Sequence, residues 1–541
     1  MKVLVTTIIL AIVCLSAPAF ALPPDGALVR IDSPPPGAAA SLLREGVEVV
    51  RDAGWYLVAV AGPGDIAVLE RLGWPYDVLD ASVAGKIYYT ITRPLESPAP
   101  FPAGGIRLLY STPSSAVVQG DADTGDLLSR AGFDVQRIYM RPVVPSPERA
   151  PVPAFHVAAD PDSVIQEIVD SVSGPVIDGY VQRLQDFVTR WARHDSCQAA
   201  ADWIKTEFES FGMDSVYYQH FSDFFKDNVV AVLPGKTYPE QIIVIGGHYD
   251  STSNDAYTAP GADDNASGTA CVLQCARILS GYEFDRTIVF VAFGAEEQGL
   301  AGSEYFAARA ALEGDNIMAM VNVDMLGYLA PGDILDVDVI SNSPSEWLRD
   351  RALMAAATYV PGTPAVAGSL PMSAGSDHMS FWDAGFDAIM LWEDSDNRSP
   401  YIHTWADSIG TSYNTPFLAE QSTRMVAALL ADLAGPVDVA VPTGTPPPLP
   451  VVLEQNVPNP FNPTTRIRFH VPGAGVRATV TVYDVAGREL VALFDEKNVS
   501  GSKTVWWNGL QNDGRPAASG VYFYRLTAGP YTITRKMVLV R

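Results

Sequence analysis

Short runs of apolar, β-branched residues alternate with helix-like segments through the middle of the chain. The runs NVVAVLPG, QIIVIGGHYDS, TIVFVAFGAEE, MAMVNVDMLGY and DAIMLWED have the length and composition of strands buried on both faces of a sheet. The segments between them, such as ASGTACVLQCARILSG and LAGSEYFAARAALEG, have the composition of covering helices. This alternation predicts an α/β fold, in which residues 158–436 form a three-layer domain with a mainly parallel central sheet.

The chain has 541 residues, so we expect further folded regions on both sides of this domain. Residues 22–157 contain two rough copies of a strand, helix, strand unit. They predict a small α+β domain, either a removable pro-region or a permanent accessory domain. A Pro-rich linker, 437–450, follows the central domain. Residues 451–541 contain short alternating strands between turn residues, which predict an all-β sandwich.

The N-terminus and the overall charge indicate where the protein acts. Residues 1–21 have a lone lysine, an apolar stretch and an Ala-Phe-Ala ending, the pattern of a cleaved signal peptide. No later apolar run reaches spanning length, so we expect no transmembrane segment in the mature chain. The formal net charge of −26 disfavours nucleic acid as a partner. We therefore expect a secreted or cell-surface protein.

Three cysteines follow the predicted signal peptide: Cys197, Cys271 and Cys275. The last two lie four residues apart in an apolar helix-like segment, which is typical of buried free thiols. The count excludes a disulfide framework, and we expect no thiolate zinc ligand there.

Acidic residues and histidines fall where the predicted strands end. His248 and Asp250 follow one strand, Glu296 and Glu297 the next, and Asp324 a third. Because parallel strands point the same way, groups beyond their carboxyl ends converge on one edge of the sheet. The candidate metal ligands are His248, Asp263, Glu297, Asp324 and His403.

These five ligands offer imidazole nitrogen and carboxylate oxygen, which suit zinc. Five exceed the needs of one catalytic zinc, whereas one carboxylate bridging two ions would use all of them. A water shared by both ions would then ionise near neutral pH and act as the nucleophile. Glu296, adjacent to a ligand, is the candidate general base.

Six motifs in this region resemble those of the co-catalytic zinc exopeptidases typified by secreted bacterial leucine aminopeptidase and aminopeptidase Y. They are GGHYDS, PGADDNASG, AEEQGLAGS, NVDMLGY, GSDHMSF and YIHTWADS, which recur in order across roughly residues 160 to 436. The resemblance implies that Asp263 bridges two zinc ions, His248 and Asp324 completing one site and Glu297 and His403 the other. It also implies that Glu296 is the general base, that Asp250 holds His248 through its second ring nitrogen, and that a strained peptide joins Asp263 to Asp264.

Other residues near these motifs are open to two interpretations. Asp377 and His378 have either a hydrogen-bonded structural role or a substrate contact. Trp392, Glu393 and Tyr401 either line a pocket or, for the aromatics, pack in the core. His156 and His220 have no predicted role.

The C-terminal region resembles immunoglobulin-like modules of the flagellar hook-cap and type IX secretion-sorting kinds. The resemblance rests on QNVPNPFNPTTRIRFHV, VYDVAGREL, WNGLQNDGRPAASGVYFYRLTAG and KMVLVR. It implies export or surface attachment through the secretion machinery, with no catalytic group. A sandwich that only stabilises the protein or binds sugar is the alternative.

The function expected from these features is hydrolysis of N-terminal residues from peptides or proteins by a two-zinc aminopeptidase. The same scaffold serves carboxypeptidases and glutaminyl cyclases, because metal ligands alone do not separate recognition of an amine from that of a carboxylate. A catalytically inert surface adhesion protein is the alternative from another class. It is disfavoured because an unused site has no reason to retain buried charge.

Overall fold

The computed structural model describes residues 26–143, 161–437 and 451–540, apart from gaps at 36–37, 53–55, 93–104, 113–114, 132, 141–142, 214, 369–374, 395–396, 454–455, 457, 486, 513 and 530. The predicted signal peptide, 1–21, and most of the Pro-rich linker lie outside the described residues. The chain divides into two compact units. One contains residues up to Lys86 together with Ile138–Val143, and the other contains Ile87–Arg137 and everything from Val144 onward.

The first unit contains one four-stranded antiparallel sheet with two helices. Its elements are β1 (Ala27–Asp32), α1 (Ala38–Arg44), β2 (Glu48–Asp52), β3 (Tyr56–Ala61), α2 (Pro63–Leu72) and β4 (Tyr76–Asp80). The strand order is β2-β3-β1-β4. Helix α2 starts with a proline at its first position and ends before Gly73, whose φ of 69° lies in the left-handed region. Proline is common at the first position of a helix, and glycine is common just after its end.

A second four-stranded sheet opens the second unit. It comprises β5 (Ile87–Thr92), β6 (Arg107–Ser111), β7 (Ser115–Gly120), helix α3 (Thr124–Arg130) and β8 (Asp134–Ile138), in the order β6-β7-β5-β8. The first sheet lies within the first of the two copies expected from the sequence, whereas the second sheet contains the second copy together with β5, which precedes it. Residues 87–137 nevertheless belong to the same compact unit as the central domain.

The central domain is a mixed eight-stranded sheet covered by helices. Its helices are α4 (Ser163–Asp170), α5 (Gly174–Gln185), α6 (Asp195–Ser210), α7 (Ala266–Leu279), α8 (Ala301–Glu313), α9 (Glu346–Tyr359), α10 (His378–Asp383) and α11 (Pro416–Ala434). Its strands are β9 (Ser215–Gln219), β10 (Asn228–Leu233), β11 (Tyr238–His248), β12 (Arg286–Phe293), β13 (Asn316–Val323), β14 (Val337–Ser341), β15 (Ala365–Ala367) and β16 (Ala388–Trp392).

The strand order is β15-β14-β16-β13-β11-β12-β10-β9. The central strands β12, β11, β13 and β16 are mutually parallel, as predicted. Strand β10 runs antiparallel to β12, and β14 antiparallel to β16, so the sheet is mixed rather than uniformly parallel. Helix α7 is buried along its whole length, and its Cys271 and Cys275 are buried free thiols, as expected. Cys197 is also a buried free thiol.

The C-terminal region is all-β, as predicted. Its strands are β17 (Val452–Leu453), β18 (Thr465–Tyr483), β19 (Glu489–Trp507), β20 (Gly520–Ala528) and β21 (Tyr531–Leu539). All of their pairings are antiparallel. Buried and exposed residues alternate along β20, and inward side chains such as Trp507 and Tyr524 form a separate core. Among the described residues, every helix is too short or too polar to cross a bilayer.

Candidate metal centre

The candidate ligands meet at the carboxyl edge of the four parallel strands. Strand β11 ends at His248, β12 ends just before Glu296 and Glu297, and β13 ends just before Asp324. His403 lies in the loop that follows β16. The convergence expected from the sequence therefore occurs, because the strands share one direction.

One carboxylate, that of Asp264, lies between the two histidines. Its Oδ1 is 3.3 Å from His248 Nε2, and its Oδ2 is 3.3 Å from His403 Nε2. On one side of it, His248 Nε2 is 3.4 Å from Asp324 Oδ1. On the other side, His403 Nε2 is 3.1 Å from Glu297 Oε2. The geometry thus pairs His248 with Asp324 and His403 with Glu297, with Asp264 shared.

The expectation that Asp263 is the shared ligand is wrong in this structure. Asp263 points away from both histidines: its Oδ1 accepts a hydrogen bond from Gly327 N at 2.9 Å, and its Oδ2 lies 3.4 Å from Ser412 Oγ. Asp263 and Asp264 are adjacent in a turn, and their side chains contact different partners. The cis peptide bond joins Asp264 to Asn265, one residue later than expected.

Asp250 contacts the backbone that carries the glutamates. Its two carboxylate oxygens accept hydrogen bonds from Glu296 N at 3.1 Å and from Glu297 N at 3.3 Å. Its Oδ1 is 3.6 Å from His248 Nδ1, whereas the backbone carbonyl of Asp250 is 3.2 Å from the same nitrogen. Asp250 therefore lies beside His248 as expected, and its shortest side-chain contacts hold the Glu296–Glu297 turn.

Three non-glycine residues with left-handed backbone lie at this edge. Ala295, Met325 and His403 have φ values of 58°, 52° and 56°. Ala295 precedes Glu296, and Met325 follows Asp324. Such conformations cost free energy and persist only where the surroundings impose them, and they concentrate at functional sites.

The two histidines are held in a strongly anionic environment. Burial lowers the pKa of His248, but the charges of Glu296 and Asp324 outweigh it and hold that pKa well above the usual value. The pKa of His403 is likewise lowered by burial and then raised well above its usual value by Glu297 and Asp264. Burial raises the pKa of Asp264, but both histidines outweigh it and hold that pKa below the ordinary range.

The pKa values of the two glutamates are also raised. Burial raises the pKa of Glu296 well above its usual value, and the charges of Glu297, Asp377 and Asp324 add to the shift while His248 opposes it. Burial also raises the pKa of Glu297, to about 7, with His403 opposing. Several carboxylates are therefore crowded into one buried site, where a bound cation would stabilise their charged forms.

The donor set fits divalent zinc. Two groups of donors lie within 4.8 Å of one another, His248 with Glu296 and Asp324, and His248 with Asp264 and Glu297. Among the described residues, Glu297 Oε1 and Asp324 Oδ1 are buried oxygens that accept no hydrogen bond. Imidazole nitrogen and carboxylate oxygen are typical zinc donors. A bound cation would interact with buried oxygen acceptors that receive no hydrogen bond from the protein.

A cavity opens onto these ligands. Its lining comprises Val135, His248, Asp264, Glu296, Glu297, Asp324, Met325, Gly375, Ser376, Met390, Trp392, Arg398, Ile402 and His403. Trp392 thus lines the pocket, one of the two roles considered for it. Tyr401 instead packs edge to face on Tyr328, with ring centroids 6.3 Å apart.

Glu393 has a structural position and does not line the cavity. Its carboxylate accepts hydrogen bonds from Tyr328 N and Ser399 N, and burial raises its pKa to about 8. His378 is fully buried, makes no hydrogen bond through its ring among the described residues, and packs edge to face on Trp382 at 4.5 Å. Burial lowers the pKa of His378 to about 3.

Asp377 is buried near the candidate ligands, and their charges affect its pKa. Burial raises its pKa to about 7, with His248 opposing and Asp324 adding to the rise. His220 is exposed and pairs with Asp227 at 2.8 Å, so it has no part in the site. His156 lies outside the described residues.

Sequence reasoning missed several residues that build the site. Asp407, inside the motif YIHTWADS, accepts hydrogen bonds from the backbone of Asp263 and Asp264 at 2.9 and 3.0 Å. Arg190 is fully buried and has no sequence signal. It donates to the carbonyls of Tyr249, Leu184, Pro260 and Gly261. Val135 and Arg398 were also missed, because loops and distant segments bring them to the cavity.

Comparison with known proteins gives two family matches. Residues 228–429 match peptidase family M28, and residues 457–540 match the secretion system C-terminal sorting domain. A probable zinc metalloprotease of Pyrenophora teres f. teres is 34% identical over 212 residues, which cover 34% of this chain and 46% of that protein. The chain therefore spans less than half the length of that relative.

A second relative and one solved structure extend over more of their own length. A probable leucine aminopeptidase of Arthroderma otae is 29% identical over 334 residues, covering 58% of this chain and 89% of that protein. The LapA aminopeptidase of Legionella pneumophila has the same fold, with a TM-score of 0.54 and 18% identity over 65% of this chain and 99% of that one. Residues 228–429 are therefore similar to peptidase family M28, and residues 457–540 are similar to the secretion system C-terminal sorting domain.

Proposed function

We propose that this protein is an exported aminopeptidase that uses two zinc ions to remove N-terminal residues from peptides. The observation that carries the proposal is the carboxylate of Asp264, placed between His248 and His403 at equal distances of 3.3 Å. A carboxylate shared by two imidazoles, each with its own second carboxylate, suits a pair of cations better than one.

The ligand sets follow from these contacts. His248, Asp324 and Asp264 would hold one zinc, and His403, Glu297 and Asp264 the other. Bound zinc supplies a Lewis acid for the scissile carbonyl and lowers the pKa of water at the site toward neutrality. Asp250 and Asp407 position the turns that carry Glu297 and Asp264, through hydrogen bonds to their backbone nitrogens.

Glu296 is the group best placed to move a proton. Its Oε2 lies 4.0 Å from His248 Nε2, so it is beside the ligands, and its backbone is fixed by Asp250. Burial in a cluster of carboxylates raises its pKa well above the usual value, so this carboxyl group holds a proton more readily than an ordinary glutamate. Glu296 would accept the proton of the attacking water and donate it to the leaving amine nitrogen.

The experiment that tests this function uses aminoacyl p-nitroanilides with free and N-acetylated amino groups. We expect turnover of the free-amine substrates only, its loss on chelation and its return with zinc. Glu296→Gln should lower kcat about 10²- to 10⁴-fold while zinc content stays unchanged. Retained activity in that variant would contradict the assignment of the base.

Additional substrates separate the alternative functions. A carboxypeptidase would cleave N-acetylated peptides that have a free C-terminus, and a glutaminyl cyclase would convert N-terminal glutamine without hydrolysis. An inert adhesion protein would turn over none of these substrates.

We further propose that residues 22–157 act as a pro-region, and that the described part of residues 87–137 covers the metal centre in the intact chain. Val135 of β8 lines the cavity beside the ligands. Next to it, Gln136 Nε2 lies 3.3 Å from Met379 Sδ, and a Cβ on Gly375 would collide with the same nitrogen.

Two contacts outside the cavity also support the proposal that this segment covers the metal centre. Trp191 Nε1 donates to Asp126 at 2.5 Å, and Ser129 Oγ donates to Thr252 Oγ1 at 3.1 Å. We expect turnover to rise severalfold when residues 22–157 are removed from folded protein. Asp126→Ala in the full chain should give a smaller rise. Unchanged turnover in both would indicate a permanent accessory domain.

A further inference from the structure

Three buried carboxyl groups lie next to the candidate ligands without belonging to either proposed ligand set. They are Asp263, Glu393 and Asp407, whose side chains are 0, 2 and 2% exposed. Burial of an acidic side chain costs free energy unless hydrogen bonds compensate for the lost water. The hydrogen bonds of these three groups therefore indicate what each of them does.

Two of these groups accept hydrogen bonds from the backbone of segments that carry candidate ligands. Asp407 accepts from the backbone nitrogens of Asp263 and Asp264 at 2.9 and 3.0 Å. Asp263 Oδ1 accepts from Gly327 N at 2.9 Å, three residues after the candidate ligand Asp324. The first set of bonds joins the loop after His403 to residues 263–264, and the second joins those residues to the turn after β13.

Glu393 differs from the other two because it accepts hydrogen bonds from two ligand-bearing segments at once. Its Oε2 accepts from Tyr328 N at 2.9 Å, and its Oε1 accepts from Ser399 N at 3.0 Å. Tyr328 lies four residues after Asp324, and Ser399 lies four residues before His403. One carboxylate therefore connects the turn that follows one ligand to the loop that precedes another.

Together the three carboxyl groups form a closed set of connections, which we call the carboxylate frame. The segments that it joins are 263–264, 324–328 and 399–407. In the ligand sets proposed above, Asp324 belongs to one zinc, His403 to the other, and Asp264 to both. Glu393 is the member of the frame that joins the Asp324 and His403 segments directly, so it acts on the distance between the two zinc sites.

We propose that Glu393 is a positioning residue that fixes the spacing of the two zinc sites. The inference rests on the two-zinc function proposed above and concerns the arrangement of that same site. Both oxygens of Glu393 are required, since each accepts one backbone N–H. A glutamine at this position has one acceptor oxygen, so its amide nitrogen would face the other N–H, and that donor would be left unpaired.

Calorimetric titration of chelator-treated, folded protein with Zn²⁺ tests the proposal in the Glu393→Gln variant. The first zinc needs only one set of ligands, which can adjust to it, so its affinity should be nearly unchanged. The second zinc needs ligands at the correct distance from the first, so its affinity should fall about 10- to 100-fold. A role of Glu393 in stability alone would affect both binding steps alike.

Two further amide substitutions serve as comparisons. Asp263→Asn keeps the oxygen that accepts from Gly327 N, so this variant should still bind the second zinc. Asp484→Asn is the matched control in the C-terminal region. Asp484 Oδ1 also accepts from a backbone nitrogen, that of Arg488 at 2.9 Å, and its replacement should change neither binding step.

Hydrogen exchange of the metal-free wild type makes the test independent of any variant. Mass spectrometry of short peptides should find the backbone amides of Tyr328 and Ser399 protected before zinc is added, because the carboxylate frame consists of protein groups alone. Rapid exchange of both amides in folded protein would overturn the proposal.

The titration also separates failure of this inference from failure of the proposed function. Uptake of two zinc ions with equal affinities by the wild type and Glu393→Gln would overturn the positioning role and leave the two-zinc function intact. Uptake of fewer than two zinc ions by the folded wild type would contradict the proposed function and, with it, this inference.

Discussion

At the scale of single residues, the neighbours Asp263 and Asp264 have opposite environments. Asp264 faces two imidazoles, which hold its pKa below the ordinary range against the effect of burial. Burial raises the pKa of Asp263 well above its usual value, and the charges of Glu393 and Asp407 add to the rise. Asp264 is therefore suited to bind cations as an anion, whereas Asp263 is suited to remain protonated.

This difference predicts unequal effects of the same substitution. Asp264→Asn removes the shared anion and should lower zinc affinity by more than tenfold. Asp263→Asn replaces a protonated carboxyl by a neutral group of the same shape and should retain zinc. Plasma emission spectrometry of dialysed protein measures both. Zinc loss in Asp263→Asn with retention in Asp264→Asn would restore the ligand assignment expected from the sequence.

His378 makes stability depend on pH. Its pKa in the folded protein is about 3, below the ordinary histidine value of 6.5, because burial disfavours the charged ring. The unfolded chain therefore binds a proton that the folded protein does not, as pH falls from about 6.5 to 3. Stability present above pH 6.5 is lost over that window, by up to about 1.4 kcal/mol per pH unit.

His378→Phe should reduce this loss while keeping the contact with Trp382. Urea denaturation of chelator-treated protein at pH 7 and pH 5 gives the free energy of unfolding for each variant. The difference between the two pH values should be smaller in His378→Phe than in the wild type. His220→Phe, at an exposed histidine, serves as the control and should not reduce it. An equal pH dependence in His378→Phe and the wild type would show that His378 titrates normally.

At the scale of elements, strand direction and the residues that follow each strand account for most of the site. The β-branched runs predict the buried strands β11, β12 and β13, and the groups after them meet because those strands are parallel. His248, Glu297, Asp324 and His403 could therefore be placed from the sequence. Asp264 could not be distinguished from Asp263, because only the backbone conformation of the turn decides which side chain faces the histidines.

Other features of the elements depend on tertiary contacts that carry no local signal. The antiparallel direction of β10 and β14 is set by their connections, since an apolar run reads the same in either direction. Arg190 is a polar residue that the sequence gives no reason to bury. Its four backbone acceptors become neighbours only when the loops around Tyr249 and Gly261 have folded.

Substitution of Arg190 tests how much the loops around Tyr249 and Gly261 contribute to stability through this one side chain. Arg190→Lys replaces a guanidinium bound to four carbonyls by an ammonium with three donors, and leaves buried acceptors unpaired. We expect the free energy of unfolding to fall by at least about 2 kcal/mol. Arg193→Lys, at a partly exposed ion pair with Asp123, should change it by less than about 0.5 kcal/mol. Equal effects of the two would show that the buried guanidinium is not required.

At the scale of the whole molecule, the C-terminal sorting domain has its own core. Trp507, Tyr524 and Phe469 belong to one cluster of buried apolar side chains, which is separate from the core of the central domain. An exposed ion pair, Arg535 Nη1 with Asp186 Oδ2 at 3.2 Å, joins the two regions. A contact of this kind contributes little to stability.

Removal of residues 451–541 should therefore leave zinc content and kcat unchanged in the purified protein. The same truncation should prevent the protein from reaching the medium or the cell surface if residues 457–540 act as the sorting domains that they resemble do. Assay of enzyme activity in medium, surface and cell fractions measures this directly. Normal export of the truncated chain would indicate that the sandwich has only a stabilising or binding role.

The central claim is that side chains from four strand ends and one helix start bind a pair of zinc ions through Asp264. Calorimetric titration of chelator-treated, folded protein with Zn²⁺ tests it most directly, with the Asp264→Asn variant beside the wild type. The account predicts uptake of two zinc ions per chain by the wild type, with proton release as His248 and His403 become ligands, and loss of this stoichiometry in Asp264→Asn. Uptake of no zinc by folded wild-type protein, or the same stoichiometry and affinity in both proteins, would contradict it.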